Sequence, residues 1–321
     1  MRDVLVKMNT LGQESVPFLF IIDFEMKKPL VYPLNDINQN KIQYDIGEQT
    51  NAQLSQSIKT KFRLGKEPVS FEKYRKAFEF VQDNQRNGNS YLTNLTFPTE
   101  IKIDIGLKQI FDISRAKYKL WLDDAFVVFS PETFVKIQNQ KIFSHPMKGT
   151  IDASIPNAKE KILNDAKEMA EHNTIVDLIR NDLSMVSTNV EVTKFRYVDY
   201  LRTSEKDLLQ VSSEICGDLP DDYSSGIGDI ITTLLPAGSI SGAPKKKTVE
   251  IIQEAEQQKR GYYTGIAGIF DGKNLDSFVM IRFIEKSGNR FFYRSGGGIT
   301  ARSDAKKEYN ELIDKVYVPV D

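Results

Sequence analysis

Residues 121–150 carry three short apolar segments separated by turn residues, and this spacing limits the possible fold more than any other feature. Segments with two or three apolar residues are too short for helices and have the length of strands. They cover 127–129, 134–137 and 142–143. Asn139 and Gln140 fall between the last two segments and predict a hairpin. The sequence therefore indicates a β-rich core here.

The register of this hairpin brings two titratable side chains together. If the hairpin turns on about three residues centred on Gln140, Glu132 lies opposite Lys148, next to Gly149. We therefore predict a carboxylate and an amine facing each other at the open end of the hairpin.

Helical periodicity is clearest outside this region. It predicts helices over 71–87, 157–183, 227–234, 244–255 and 304–316, and strands are expected at 91–97, 276–284 and 290–294. In the strand 276–284, Arg282 shares a face with aliphatic and aromatic side chains. A guanidinium in such surroundings calls for an anionic partner.

Charge and composition exclude several classes of function. The 43 Lys and Arg residues balance 44 Asp and Glu residues, so nucleic acid and anionic membranes are not expected partners. No run of about 20 apolar residues and no signal peptide is evident, which predicts a cytoplasmic protein. Cys216 is the single cysteine, and His145 and His172 are the two histidines, which excludes an intramolecular disulfide and a zinc site rich in Cys or His.

Two glycine-rich segments precede predicted helices, where backbone N–H groups suit anions. The first runs from Gly238 to Lys245 and adds Ser239 and Ser241 as donors, and the second covers 296–300. Neither matches a Walker or Rossmann loop. A tight turn without a ligand is the plainer interpretation of each one.

Carboxylates recur at helical spacing in two of the predicted helices. Glu168 and Glu171 share one face, and Glu308 and Glu311 share another with Lys315. An exposed ion pair explains Glu311 and Lys315 equally well, but four carboxylates on two helices also suit Mg²⁺.

Lys148 is the candidate nucleophile beside this group of carboxylates. Burial and a nearby metal ion would both lower its pKa and leave some free amine. Glu132 opposite it would transfer a proton to a leaving group. The residues alone therefore point to a Mg²⁺-assisted site for a small dianionic metabolite.

The chain resembles the chorismate-utilising enzymes from about residue 71 to residue 316. The matching segments are NSYLTNLTF (89–97), SPETF (130–134), HPMKGT (145–150), AEHNTIVDLIRNDL (170–183), GSISGAPKKKTVEIIQEAE (238–256), GYYTGIAGIFDG (261–272), LDSFVMIRF (275–283) and GGGITARSDAKKEYNELIDKV (296–316). The resemblance implies an α+β fold of one large domain, with two β-sheets packed face to face and helices outside. Residues 1–70 would form a shortened amino-terminal part, and residues 71–321 would form the catalytic region.

Two positions discriminate among family members. Isochorismate- and salicylate-forming enzymes carry a lysine where this chain has Leu92 or its neighbours, so hydroxylation is disfavoured. Anthranilate synthases usually read PIAGT and aminodeoxychorismate synthases PIKGT at the segment HPMKGT, so Lys148 favours amination to 4-amino-4-deoxychorismate. Anthranilate synthase component I is the alternative.

The resemblance also implies residue roles. Mg²⁺ would be held by Glu171 and Glu311, with Glu168 and Glu308 in support, and Lys148 and Glu132 would be catalytic. Positions that match substrate-binding ones are Ser239, Lys245, Tyr263, Arg282, Gly296, Gly297, Gly298 and Lys315.

Two departures from the family pattern keep other interpretations open. The usual His-Leu-Val-Ser segment begins here with Leu209, which makes a non-catalytic chorismate-binding subunit conceivable. No segment of the tryptophan-binding kind occurs near the amino terminus. Because Cys216 cannot assemble a glutaminase triad, ammonia is expected from a separate glutaminase subunit or from solution.

Overall fold

A computed structural model describes residues 1–52, 61–201 and 207–320. The α-helices of these residues are α1 (Arg2–Gln13), α2 (Phe71–Arg86), α3 (Leu107–Ile113), α4 (Ala158–Asn164), α5 (Ala166–Ser184), α6 (Ile227–Thr233), α7 (Gly238–Ser241), α8 (Lys245–Glu256) and α9 (Ala305–Asp314). Short 3₁₀ helices cover Leu34–Asp36 and Tyr223–Gly226. Within the described ranges, no helix is long and apolar enough to cross a membrane.

The strands form two antiparallel sheets. They are β1 (Phe18–Ile22), β2 (Leu30–Pro33), β3 (Ile42–Ile46), β4 (Gln49–Thr50), β5 (Leu64–Glu67), β6 (Leu92–Ile103), β7 (Tyr118–Leu122), β8 (Phe126–Ser130), β9 (Thr133–Gln138), β10 (Lys141–Ser144), β11 (Met147–Asp152), β12 (Thr188–Leu201), β13 (Leu208–Asp218), β14 (Gly242–Ala243), β15 (Ile266–Phe270), β16 (Leu275–Val279), β17 (Phe283–Ser287) and β18 (Arg290–Ile299). The first sheet has the order β11-β13-β10-β9-β16-β15-β1-β2, with β12 also on β13. The second has the order β14-β6-β18-β17-β8-β7-β3-β4, with β5 also on β6.

The two sheets pack face to face through one shared cluster of apolar side chains. Leu19 and Phe278 of the first sheet meet Tyr118 and Phe126 of the second in this cluster. The rings of Tyr118 and Phe278 stack with centroids 5.0 Å apart. Helices cover the outer faces: α1, α5 and α6 pack on the first sheet, and α2, α3, α8 and α9 pack on the second. This architecture confirms the predicted α+β fold of two face-packed sheets.

Local capping explains where the predicted helices begin and break. The prediction of a helix over 71–87 is confirmed by α2, whose Ser70 side chain accepts a hydrogen bond from the Lys73 amide. The single helix predicted over 157–183 is wrong, because the chain breaks at Asp165. The Asp165 carboxylate caps α5 by accepting from the Glu168 amide at 2.9 Å, which places Glu168 in the first turn of α5.

The predicted hairpin exists, but its register is wrong by one residue. Asn139 and Gln140 have φ of 51° and 61°, which makes a two-residue turn that pairs Gln138 with Lys141. Lys148 does not continue this hairpin, because β10 ends at Ser144 and β11 pairs with β13 instead. Glu132 and Lys148 are therefore not cross-strand partners.

The chain crosses between the two sheets at Glu132 and again at Arg282. The single strand predicted over 276–284 is wrong, because β16 belongs to the first sheet and β17 to the second. Arg282, at the crossing, adopts φ of 55°. Glu132 joins β8 to β9, and its carbonyl accepts a hydrogen bond from the Val279 amide at 3.1 Å. The two crossings therefore lie side by side.

Candidate active site

A cavity of about 230 Å³ opens where the chain crosses between the sheets, which limits a ligand to a small molecule. It is lined by most of the predicted site residues, namely Glu132, Lys148, Ser239, Tyr263, Arg282, Gly296, Gly297, Gly298, Glu311 and Lys315. Four predicted residues do not line it: Glu168, Glu171, Lys245 and Glu308.

The triple glycine forms one wall of the cavity as part of a strand. The prediction of a turn before the last helix is wrong, because 296–298 lie within β18 and pair with 94–96 of β6. A Cβ at Gly298 would lie 3.6 Å from Lys148 Nζ, and one at Gly297 would lie 3.6 Å from Glu311 Oε1. Since successive side chains point to opposite faces of a strand, the missing side chains let Lys148 and Glu311 approach the same backbone from its two faces.

This wall predicts a specific effect of adding one methyl group. Gly298→Ala would place a Cβ 3.1 Å from Leu92 Cδ1 and beside Lys148. We expect turnover to fall about 10²-fold, because a small displacement of a reacting group has that effect on rate. Steady-state kinetics measures the loss. Gly65→Ala in β5, where a Cβ meets its nearest neighbour at 3.5 Å, is the control, and full activity of Gly298→Ala would contradict the placement.

Lys148 is held among carboxylates. Its Nζ lies 2.8 Å from Glu171 Oε2. Burial alone would lower the pKa of Lys148, but the negative charges of Glu171, Glu168 and Glu311 outweigh burial, so the pKa is raised. The carboxylates stabilise the ammonium in this arrangement, and the lowered pKa expected beside a metal ion stays a prediction.

Glu132 has the environment of a proton donor. Ser239, in the short α7 segment, donates a hydrogen bond to Glu132 Oε1 at 2.5 Å. Burial raises the pKa of the Glu132 carboxyl, and the Ser239 hydrogen bond and the charges of Arg282 and Lys315 offset only part of this. A carboxyl that keeps its proton to higher pH is suited to general acid catalysis.

Helix α9 supplies the opposite wall. Asp304 caps the helix by accepting from the amides of the first turn, which sets Glu308 and Glu311 toward the glycine strand. Lys315 Nζ lies 2.8 Å from the Gly296 carbonyl oxygen and 2.6 Å from Glu311 Oε1. The predicted Glu311 and Lys315 pair is therefore part of the cavity wall.

Lys245 does not line the cavity and joins two helices instead. Its Nζ pairs with Asp182 Oδ1 at 2.8 Å and donates to the Leu234 carbonyl at 3.0 Å. These contacts tie the start of α8 to α5. Asp182 lines the cavity, but Lys245 does not.

Sequence reasoning missed Asn94 as a cavity residue. It lies two residues after Leu92 on β6, so the two side chains share a face of the strand, and both line the cavity. Asn94 Oδ1 is buried and has no hydrogen-bond partner among the residues that the structure describes. Because side chains on a strand alternate between its two faces, a prediction that Leu92 lines the cavity would also have indicated Asn94.

Leu209 pairs with Ile151 and does not line the cavity.

The donor set fits Mg²⁺. Glu168 and Glu171 approach from α5 and Glu308 and Glu311 from α9, and carboxylate oxygens are the ligands that Mg²⁺ prefers. Across the described ranges, no three His, Cys, Asp or Glu side chains converge as a ready metal cluster. Mg²⁺ usually takes one or two protein carboxylates and completes its shell with water and substrate, so such a cluster is not required.

Comparison with known proteins decides the family. A family model described as chorismate binding enzyme matches residues 28–321. The chain belongs to the chorismate-binding enzymes. Membership of this family supports an enzyme that acts on chorismate.

Three curated relatives of this chorismate-binding enzyme cover from 76% to 100% of its length. An uncharacterized PabA-like protein of Haemophilus influenzae is 52% identical over 100% of this chain and 98% of its own. Aminodeoxychorismate synthase component 1 of Escherichia coli is 33% identical over 76% of this chain and 56% of its own, so the chain spans about half the length of that relative. Anthranilate synthase component 1 of Archaeoglobus fulgidus is 31% identical over 77% of this chain and 61% of its own.

Solved structures show the same fold. The menaquinone-specific isochorismate synthase of Escherichia coli superposes with a TM-score of 0.72 at 15% identity and covers 98% of this chain and 80% of its own. Anthranilate synthase component I of Streptococcus pneumoniae has a TM-score of 0.66 at 27% identity, over 78% of this chain and 58% of its own.

Proposed function

We propose that this chorismate-binding enzyme converts chorismate and ammonia to 4-amino-4-deoxychorismate and water. The observation that carries the proposal is Lys148, which lines the cavity beside Gly298 and pairs with Glu171. Once a bound cation offsets the carboxylate charge that raises the pKa of Lys148, an amine in this position would attack a bound ring as a nucleophile. The relatives named aminodeoxychorismate synthase component 1 support the choice of reaction.

The proposed reaction has two substitution steps. The Lys148 amine forms a bond to ring C2, the two ring double bonds shift, and the C4 hydroxyl leaves as water with a proton from Glu132. Ammonia then forms a bond to C4, the double bonds shift back, the bond from C2 to the Lys148 nitrogen breaks to release the amine, and the ammonium group formed at C4 returns a proton to Glu132. Each step exchanges one nucleophile for one leaving group, so no oxidant or reductant is needed.

Mg²⁺ is proposed to bind between α5 and α9, with Glu171 and Glu311 as ligands and Glu168 and Glu308 in support. When bound, it would neutralise a substrate carboxylate and the negative charge that now raises the pKa of Lys148. Lys148 itself would be positioned by Glu171 and by the glycine strand.

The second carboxylate of chorismate is proposed to bind at the sheet crossings. Arg282 and Tyr263 line that part of the cavity, and the tyrosine hydroxyl is a neutral donor, because burial raises the pKa of Tyr263 to about 12. Ser239, Lys315 and the amides of 296–298 would complete the binding surface. An Arg and a Tyr at one end and a metal at the other would fix the ring between them.

Ammonia is proposed to come from a separate glutaminase subunit. Cys216 is the single cysteine and is buried in β13. Burial also raises the pKa of its thiol, which disfavours the thiolate that a glutaminase nucleophile needs.

Replacing Glu132 tests the acid role. Glu132→Gln keeps the side-chain shape but cannot release a proton, so we expect turnover to fall by about 10² to 10⁴. Because the acid must be protonated, wild-type activity should decline as pH rises through the raised pKa of Glu132. A pH–rate profile measures this, and the variant should lose that limb. An unchanged profile in the variant would contradict the assignment.

Anthranilate synthase is the second candidate, since relatives of that name match at similar identity. The two reactions can be distinguished by pyruvate. Anthranilate formation releases pyruvate, and simple amination does not. Purified chain would be incubated with chorismate, Mg²⁺ and ammonium, and pyruvate would be followed with lactate dehydrogenase. Consumption of chorismate without pyruvate supports amination, and stoichiometric pyruvate would favour the second candidate.

A further inference from the structure

The guanidinium of Arg282 is placed in the cavity with few contacts of its own. Its backbone has φ of 55° and its carbonyl accepts from the Phe129 amide at 3.1 Å, which fixes the main chain at the sheet crossing. Within the described part of the chain, no carboxylate pairs with it and neither terminal nitrogen has a hydrogen-bond partner. A long side chain held at its base alone keeps several rotamers.

Among the residues that the structure describes, Tyr317 is the side chain that hydrogen-bonds this guanidinium. Arg282 Nε donates to Tyr317 Oη at a long 3.4 Å, and Arg282 Cζ lies 5.4 Å from the centroid of the tyrosine ring. A guanidinium at that distance from an aromatic ring is attracted by its π-electrons. The two contacts together restrict both the position and the rotation of the guanidinium.

The carboxyl-terminal segment holds Tyr317 over Arg282 although the tyrosine is 45% exposed. Its neighbours Val316 and Val318 are buried in the core cluster of the second sheet. The Pro319 carbonyl also accepts a hydrogen bond from the Arg115 amide at 2.8 Å. The buried neighbours therefore hold the backbone of Tyr317 in place, although its own side chain is partly exposed.

We propose that Tyr317 is a positioning residue that orients Arg282 for a substrate carboxylate. Because Tyr317 contacts Nε and one side of the guanidinium, both terminal nitrogens are left for a bidentate pair with a carboxylate. The same segment places Lys315 in the cavity, so the end of α9 and the residues after it serve both walls of the site. The inference rests on the proposed function, because chorismate supplies the carboxylate.

Three variants separate positioning from support of the fold. Tyr317→Leu removes the ring and the hydroxyl, and Tyr317→Phe keeps the ring. We expect the leucine variant to weaken chorismate binding on the order of tenfold, seen in both the calorimetric Kd and KM, with kcat within about twofold. The phenylalanine variant should recover most of the affinity. Tyr91→Leu, at a tyrosine that is 67% exposed and outside the cavity lining, is the control and should bind as the unmodified chain does.

A double-mutant cycle with Arg282→Lys provides the second readout. Lysine cannot make the bidentate pair, so the loss from Tyr317→Leu should be smaller in the Arg282→Lys background than alone. Additive losses, or an unchanged Kd in Tyr317→Leu, would overturn the inference while leaving the proposed function intact. If the unmodified chain binds chorismate but forms no aminated product, the proposed function fails and the positioning role can still be measured by calorimetry. Absence of chorismate binding to the unmodified chain would overturn both.

Discussion

Lys148→Ala is expected to reduce turnover of chorismate by a factor on the order of 10³ or more, because it removes the nucleophile of the first proposed step. The loss should appear in kcat, while the Kd for chorismate changes little, since Arg282, Tyr263 and the glycine strand remain. Steady-state kinetics with saturating ammonium, together with calorimetric binding, measures both quantities. The removed amine lies next to Glu171, so folding should be checked by thermal unfolding in parallel.

The matched control is Lys141→Ala, which removes an exposed lysine of the same sheet that pairs with Asp218 at the surface. This variant should keep full activity. Unchanged turnover in Lys148→Ala would mean that ammonia attacks the ring without a covalent lysine step. No turnover in the unmodified chain, even with a glutaminase, would favour a binding subunit without catalytic activity.

Arg260→Ala is expected to lower the free energy of unfolding by about 3 to 5 kcal/mol, the usual effect of breaking a buried ion pair. Arg260 is 1% exposed, and its Nε and Nη2 bind the two Glu256 oxygens at 3.0 and 2.6 Å. It also donates to the carbonyls of Ile240 and Asn94, and Glu256 accepts from the Thr96 amide. Removal of the guanidinium would leave a buried carboxylate without its cation and take the arginine donors away from two carbonyls, while Thr96 still donates to Glu256.

Urea unfolding with a shared m-value measures this effect. Arg290→Ala is the control, because Arg290 is 64% exposed and its pair with Glu100 is expected to contribute less than about 1 kcal/mol. A loss in Arg260→Ala no larger than that of the control would contradict a stabilising role for the buried pair. Asn94 and Ile240 both line the cavity, and Arg260 holds their carbonyls. Activity of Arg260→Ala, measured at low temperature, should therefore also fall.

Local signals made α2 and the hairpin at Asn139 predictable. A helix start needs only a capping residue and apolar spacing, and Ser70 provides the cap. The hairpin needs only two turn residues with positive φ, yet its register depends on whether two or three residues form the turn. Glu132 does not face Lys148 because β11 leaves the hairpin and pairs with β13, and no local signal indicates that pairing.

The sheet crossings were not predictable from periodicity. Residues 276–284 look like one strand, because apolar residues flank Arg282 on both sides: Phe278 and Met280 before it and Phe283 and Ile284 after it, all of them buried. The triple glycine was also not predictable from periodicity. Glycine has a low strand propensity and therefore predicts a turn, but β6 pairs with all three glycines. Tertiary contacts decide both cases.

The resemblance to the chorismate-utilising enzymes indicated more of the site residues than their spacing in the sequence did. It brought Glu132, Arg282 and Lys315 together, and the structure places all three around one cavity. The resemblance did not indicate the position of Lys245, which pairs with Asp182 of α5 and does not itself line the cavity. Tyr317 lies beyond every matched segment, so nothing in the pattern indicated its contact with Arg282.

The most direct test of the account is the product formed from chorismate, Mg²⁺ and isotopically labelled ammonium, identified by mass spectrometry and by the position of nitrogen in the NMR spectrum. We predict 4-amino-4-deoxychorismate with the label on C4 and the enolpyruvyl group retained. Anthranilate, with the label on C2 and the enolpyruvyl group lost, would contradict the proposed reaction.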